Sequence, residues 1–302
     1  MSAQALHEPG LLSATLQPLD NSLLDEMLDC GVIHYPDGDA YRSRAYRQWL
    51  FMQNPHGPAV AAVIRDDGRL VGQAALIPIR FRMPGGARQH AHFVVDVLTH
   101  PDYRNQRLFS RIIDMTKEAA SRNGTWLMGH PNAAALRGWQ RHDMHFRPAL
   151  EPCILIPTPF ARGRWEENPE TILAAWGEAE QELGVDDLPE IDRTPEYIEW
   201  RFYRRPDKRY QTGLLLDQDA KPLAWQASTP WRHGLKLLVD HASAKRTALS
   251  AGRGTLALLP PSEPLVSNRL RLPVGKRVSF FLTDPAGANL DCRRVTLAAS
   301  DF

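Results

Sequence analysis

Four residues of sparse types recur in one register in the two halves of this chain of 302 residues. Tyr46, Trp49, Phe51 and Pro55 stand at the same mutual spacings as Tyr197, Trp200, Phe202 and Pro206. Further on, once gaps are allowed, Gln73-Ala74 recurs as Gln226-Ala227 and Val95-Asp96 as Val239-Asp240. The period is far too long for a solenoid, whose units run to about 20–50 residues. It predicts instead duplication of a whole domain: a first unit over 1–160, a helical connector over 161–184 and a degenerate second copy over 185–302.

The composition suits that reading. With 43% apolar and 24% charged residues the chain is an ordinary globular one, long enough for one large domain or two of usual size. A formal charge of +1 supplies no bulk field for nucleic acid. No apolar run nears the roughly 20 residues that span a bilayer, and the N-terminus shows no basic segment leading into an apolar core. Cys30, Cys153 and Cys292 are scattered, with neither metal-type spacing nor a disulfide framework. A cytoplasmic protein without nucleic-acid or membrane partners is expected.

Periodicity places the elements. Leu23, Leu24, Met27 and Leu28 mark a helix behind Asp20 and Asn21, and a second helix covers Tyr41 to Phe51. Three strands follow, Ala59 to Ile64, Leu70 to Ile79 and Gln89 to Leu98, punctuated by Asp66-Asp67-Gly68 and Gly85-Gly86, as an antiparallel meander. Leu108, Ile112, Met115 and Ala119 then define one helix face ending near Asn123-Gly124. Thr125 to Met128 reads as a buried strand, Ala133 to His142 as a helix and Phe146 to Ile156 as extended chain. Glu170 to Leu183 is the connecting helix. The fold class is mixed α/β: a central, mostly antiparallel sheet flanked by helices, duplicated, with the second copy degenerate.

Asp96 is an acid inside an otherwise apolar strand (Val94, Val95, Val97, Leu98). Pointing into a cleft it would be desolvated and act as a base; pointing outward it would only meet solvent or backbone. His90, His92, His100, His142 and His145 have no carboxylate or cysteine partner at ligand spacing, so no metal is expected.

The stretch Val94 to Phe109, read with Trp126 to Met144, resembles the GNAT superfamily of acyl-CoA-dependent N-acyltransferases. Leu98-Thr99-His100-Pro101-Asp102-Tyr103-Arg104 looks like the end of the family's fourth strand and the entry to its pyrophosphate loop, R-x-x-G-x-[GA]. Free backbone N–H groups at a helix start make such a turn an anion site. Asn132, Ala135 and Trp139 fall on a second family pattern, and the resemblance covers about residues 20–157. It implies transfer of an acetyl or other acyl group, from acetyl-CoA or another acyl-CoA as co-substrate, to an amine of a small metabolite such as an amino sugar or amino acid. Leu98 and Thr99 would hold pantetheine and polarise the thioester carbonyl. Arg104, Asn105, Gln106, Arg107, Leu108 and Phe109 would cradle pyrophosphate on a helix beginning near Asn105. Asn132 would bond pantetheine amides or, as a turn residue, the backbone. Asp96 would deprotonate the acceptor, with His142 and His100 as further acid–base groups.

Five positions depart from the pattern. Arg107 stands at the glycine, where a helical arginine would need no positive φ, and Phe109 replaces the small residue. Trp139 replaces the tyrosine that in many members protonates the thiolate, and Asp143-Met144 replaces Gly-Phe. A non-catalytic GNAT-fold module that binds a ligand or partner is the alternative reading. In the second copy Val239-Asp240 leads into Ala242-Ser243-Ala244-Lys245 rather than into a proline, an arginine and a helix. A single CoA site is therefore expected, all of it in the first domain, with the second domain shaping the acceptor pocket.

Overall fold

The computed structural model describes residues 12–103, 106–142, 144, 147–155, 163–183, 189–231, 235–243, 255–259, 271–273 and 278–284. Strand β1 (Leu12–Pro18) precedes helix α1 (Asn21–Val32), whose first turn is capped by the Asp20 carboxylate accepting from the Leu23 N–H. Helix α2 (Arg44–Met52) is capped in the same way by Ser43. Strands β2 (Val60–Asp66), β3 (Arg69–Arg82) and β4 (Arg88–Thr99) form the expected meander. Asp67 at φ 45° and Gly68 at φ 82° make the β2–β3 turn, the two left-handed residues that let a tight hairpin follow the strand twist. Helix α3 (Leu108–Asn123), strand β5 (Trp126–Gly129), helix α4 (Ala133–Gln140) and strand β6 (Arg147–Leu155) complete the first half.

The second half contributes β7 (Arg164–Glu166), α5 (Pro169–Leu183), β8 (Glu190–Ile191) and α6 (Pro195–Ile198), which runs on into a π-helical turn over Glu199–Tyr203. Strands β9 (Gln211–Leu216), β10 (Pro222–Pro230), β11 (Lys236–Ser243), β12 (Thr255–Leu259), β13 (Arg271–Pro273) and β14 (Val278–Thr283) follow. The pairing scheme of the first half recurs here. As β3–β4 is antiparallel and β4–β5 parallel, so β10–β11 is antiparallel and β11–β12 parallel.

The sheet does not break between the halves. Its order is β1-β2-β3-β4-β5-β14-β6-β12-β11-β10-β9-β7. Each half therefore receives the other's last long strand: β14 pairs β5, and β6 pairs β12, both antiparallel. The expected boundaries at 160 and 185 lie outside the described residues. On one face α1, α2, α5 and α6 share a core that runs from Leu24 and Trp49 to Trp176, Trp200 and Trp225. On the other, α3 and α4 cover Ile64, Val71, Leu76 and Phe281 with Ile112, Ile113 and Trp139. Among the described residues no helix is long and apolar enough to cross a membrane.

Candidate active site

The site lies where β4 and β5 part. The two strands pair only at Ala91↔Trp126, His92↔Leu127 and Phe93↔Met128. Beyond Phe93, among the described residues, no strand pairs with the edge of β4 facing β5, and Val94 to Val97 line an opening there. The β3–β4 register shifts between Gln73 and Ala75, where Asp96 and Val97 together stand against Ala74, a bulge that bends β4 away. Asp96 itself sits at φ 53°, a left-handed conformation that aspartate tolerates better than branched residues do.

The bulge turns the Asp96 carboxylate inward, where three elements hold it. Arg47 Nη1 donates to Oδ2 at 2.9 Å from α2, and Gln73 Nε2 donates to Oδ2 at 2.7 Å from β3. The Tyr35 hydroxyl, on the loop after α1, donates to Oδ1 at 2.8 Å. The Arg47 and Asp96 side chains are both 0% exposed, so the pair is an ion pair taken wholly out of water. Burial pushes the Asp96 pKa up to about 6, against the opposing pull of Arg47, Tyr35 and Gln73. A buried carboxylate that changes charge near neutrality is suited to hold a substrate proton.

A cavity of about 140 Å³ opens beside it, lined among others by Tyr35, Val95, Asp96, His130, Asn132 and Trp139, with Phe281 of β14 as its far wall. That wall comes from the second half, so the cavity is not built from the first domain alone. Phe281 and Trp139 are both buried, their ring centres 4.9 Å apart. Gly129 permits the packing, because a Cβ there would lie 2.8 Å from Phe281 Cζ. Phe109, on the first turn of α3, meets Trp139 edge-on at 6.3 Å, so the helix start and the cavity share an aromatic partition.

The start of α3 differs from expectation. The helix begins at Leu108, not near Asn105, with Arg107 as its N-cap at φ 58° and no side-chain cap bond. The glycine position of the loop pattern thus does take the left-handed conformation that glycine adopts freely, and an exposed arginine adopts it here. That kink stops α3 from extending backward. Among the described residues no side chain caps the first N–H groups of this 16-residue helix, and such groups suit an anion. Leu108 is buried in the α3 core, and Gln106 Oε1 is buried without a hydrogen-bond partner. Arg104 and Asn105 lie outside the described residues.

The other expected residues fall as follows. Leu98 and Thr99 are half-buried at the end of β4, paired on one side with Gln73 and Gly72 of β3. Asn132 lines the cavity, but its Oδ1 accepts from the Ala135 N–H at 2.9 Å and caps α4. His142 does not line the cavity: at the end of α4, its Nδ1 lies 2.8 Å from Asp114 Oδ1 on α3. That hydrogen bond to α3 accounts for it, and the structure does not bring it to Asp96. His100 faces a separate cavity with Cys30 and Arg69, and the Arg69 guanidinium meets its Nε2 at 2.8 Å. Among the described residues no group of three or more His, Cys, Asp or Glu could hold a metal ion. Sequence reasoning passed over Tyr35, Arg47 and His130. Only the inward turn of the bulge brings the first two to Asp96, and no local pattern announces it.

The geometry agrees with what comparison finds. The family model described as the acetyltransferase (GNAT) domain matches residues 23–135. Residues 23–135 are a GNAT domain. No curated protein matches the chain. Solved structures match over nearly its whole length at low identity, which speaks to fold alone. A probable N-acyltransferase from Enterococcus faecalis superposes with a TM-score of 0.64 at 11% identity, covering 89% of this chain and 72% of that one. A GCN5-related N-acetyltransferase from Kribbella flavida gives 0.59 at 14% identity, covering 94% and 74%. N-myristoyltransferase from Saccharomyces cerevisiae, with bound myristoyl-CoA, gives 0.57 at 11% identity, covering 98% and 86%. The wedge between β4 and β5, the bulge at Asp96 and the uncapped start of α3 all belong to this GNAT domain or adjoin it.

Proposed function

We propose that this chain transfers an acyl group from acyl-CoA to an amine of a small metabolite, an amino sugar or amino acid being the expected class. The observation that carries the reading is a buried carboxylate of raised pKa at the parting of β4 and β5, beside an anion-ready helix start. Pantetheine would lie along the open edge of β4, where main-chain groups near Leu98 and Thr99 bond it and polarise the thioester carbonyl. The diphosphate would rest on the first turn of α3, with Arg107 beside it and Arg104 and Asn105 as the loop residues before it. A cavity of about 140 Å³ walled by Trp139 and Phe281 suits a short acyl group such as acetyl. Asp96 accepts the acceptor's proton. We read the recurring strand scheme as a duplicated GNAT fold whose second copy binds no coenzyme, in a cytoplasmic protein.

A second reading has its own support. Trp139 places no hydroxyl where many members carry their acid, and a non-catalytic module binding acyl-CoA or a partner would keep this wedge. Calorimetry with acetyl-CoA, paired with thiol release in the presence of glucosamine, lysine or ethanolamine, separates the two. Turnover with one coenzyme per chain supports the enzyme, binding without turnover supports the module, and absence of binding rejects both. Asp96→Asn should lower turnover by about 10²–10⁴-fold, while Asp240→Asn leaves the chemistry in place if the protein folds.

A further inference from the structure

Asp96 lines the cavity, yet its carboxylate is shielded from it. Its side chain is 0% exposed, and Oδ2 is occupied by Arg47 and Gln73. Oδ1 is bonded by the Tyr35 hydroxyl, and Tyr35 is a half-buried residue that lines the cavity. An acceptor amine in the cavity therefore meets the phenol oxygen before it meets the carboxylate.

The second half provides an internal comparison. Asp240 occupies the recurring position on β11 and is also fully buried in an arginine pair, Arg193 donating to Oδ1 and Oδ2 at 2.8 Å each. A further donor to it is the indole N–H of Trp225, at 3.1 Å on Oδ2. An indole N–H can give a hydrogen bond but has no lone pair with which to take a proton. The arginine–carboxylate pair is thus common to both halves and is scaffolding. At the Asp96 site a tyrosine that lines the cavity bonds the carboxylate.

Resting on the acyl-transfer reading above, we propose that Tyr35 is a catalytic residue whose hydroxyl carries the acceptor's proton to Asp96 and returns it to the departing sulfur. The neutral amine attacks the thioester carbon, a C–N bond forms, and the carbonyl π pair moves to oxygen. An N–H proton of the adduct passes to the Tyr35 oxygen as the phenol proton passes to Asp96 Oδ1. The carbonyl re-forms, the C–S bond breaks, and sulfur leaves with the bonding pair. Asp96 then gives its proton back through Tyr35 to sulfur. One proton has moved from nitrogen to sulfur, and the pair is restored.

The surroundings suit this path. Tyr35 stacks on Tyr41 at 5.1 Å with 15° between planes, which fixes the ring. Burial and the Asp96 charge hold its phenol well above the usual range, so it stays protonated between turnovers and never needs to become a free tyrosinate. The charged and titratable groups facing the pair are Arg47 from α2, Cys30 from α1, Asp39 on the Tyr35 loop, Tyr41 just after it and His130 at the end of β5. Burial raises the Cys30 thiol to about 11, so it stays neutral and does not compete for the proton.

The test uses the full chain with acetyl-CoA and whichever of glucosamine, lysine or ethanolamine the wild type acetylates. Tyr35→Phe should lower kcat by about 10²–10⁴-fold. It should leave acetyl-CoA affinity within threefold and remove the limb near pH 6 from the kcat/KM profile. Because the phenylalanine variant also loses a buried hydrogen bond, a fluorinated tyrosine of lower phenol pKa at position 35 serves as the second variant. Its kcat should change while its unfolding midpoint does not. A Tyr35→Phe enzyme with kcat within threefold of wild type and the same pH limb overturns the relay alone. A wild type that binds acetyl-CoA but acetylates none of the amines overturns the relay together with the acyl-transfer reading.

Discussion

Trp49 and Trp200 hold one another through the same contact made twice: each indole N–H donates to the other's main-chain carbonyl at 2.9 Å. Their rings stack at 4.8 Å with 20° between planes, and both are buried. Residues at matching places in the two halves thus meet across a local two-fold relation at the centre of the shared core. Trp49→Phe and Trp200→Phe should each destabilise the protein by about 1–3 kcal/mol, because each leaves a buried carbonyl unpaired. The double variant should fall short of the sum by about 0.5–3 kcal/mol, since both changes dismantle one contact. Urea unfolding of the four proteins measures this, and strict additivity would refute it.

Where periodicity and turn chemistry act locally, the sequence was legible. The β2–β4 meander, α3, β5, α4 and α5 stand within a few residues of the spans predicted from Asp67-Gly68, the Leu108–Ala119 stripe and Asn132. The exceptions are long-range. Nothing in the sequence around Phe281 says that it will lie against Gly129, because a strand's partner leaves no mark in its own pattern. The left-handed backbone at Asp96 and Arg107 was equally hidden, since neither residue is the glycine that usually signals it. Asp96 itself was visible as an acid among valines. Its three donors were not, because they come from three different elements.

Titration should separate Asp96 from the buried histidines by sign. Burial raises the Asp96 pKa from 3.8 to about 6, so the native state keeps a proton that the unfolded chain releases in that window. The penalty for burying the charge is full above pH 6 and is relieved as the pH falls toward 4. Relative to Asp96→Asn, the wild type should gain about 3 kcal/mol between pH 7 and 4, at roughly 1.4 kcal/mol per pKa unit. His56 and His92, which burial lowers from 6.5 to about 4, act the other way and cost stability as the pH falls through that range. Urea midpoints of wild type, Asp96→Asn and His92→Asn across pH 4–7 test both signs. A pH-independent difference between wild type and Asp96→Asn would mean that the carboxylate has an ordinary pKa.

Arg107→Gly should stabilise the fold by about 0.5–1 kcal/mol, because the side chain is exposed and the φ of 58° suits glycine. If Arg107 lies beside the coenzyme diphosphate, the same change should weaken acetyl-CoA binding. Thermal denaturation with and without acetyl-CoA reads both effects in one experiment. A variant that is less stable without ligand would contradict the strain argument.

Gly129→Ala should strike at the cavity wall. The added methyl would meet Phe281 Cζ at 2.8 Å and Cε1 at 2.9 Å, so the ring must shift. Overpacking of this kind costs about 1–3 kcal/mol. The smaller Phe281→Leu should restore much of that stability when combined with it. Unfolding free energies of the two singles and the double decide the matter, and an additive double would argue against a direct clash.

The exchange of β6 and β14 also sets a timetable for the molecule's birth. Leu127 and Thr283, joined across β5 and β14, are 156 residues apart, and a ribosome adding about 5–20 residues per second needs on the order of 8–30 s to span that distance. Throughout that interval the nascent first half carries an open β5 edge, the kind of unpaired strand that invites wrong partners. The cavity has no far wall until Phe281 has been made. A growing chain therefore completes its cavity only late, when β14 takes its place beside β5.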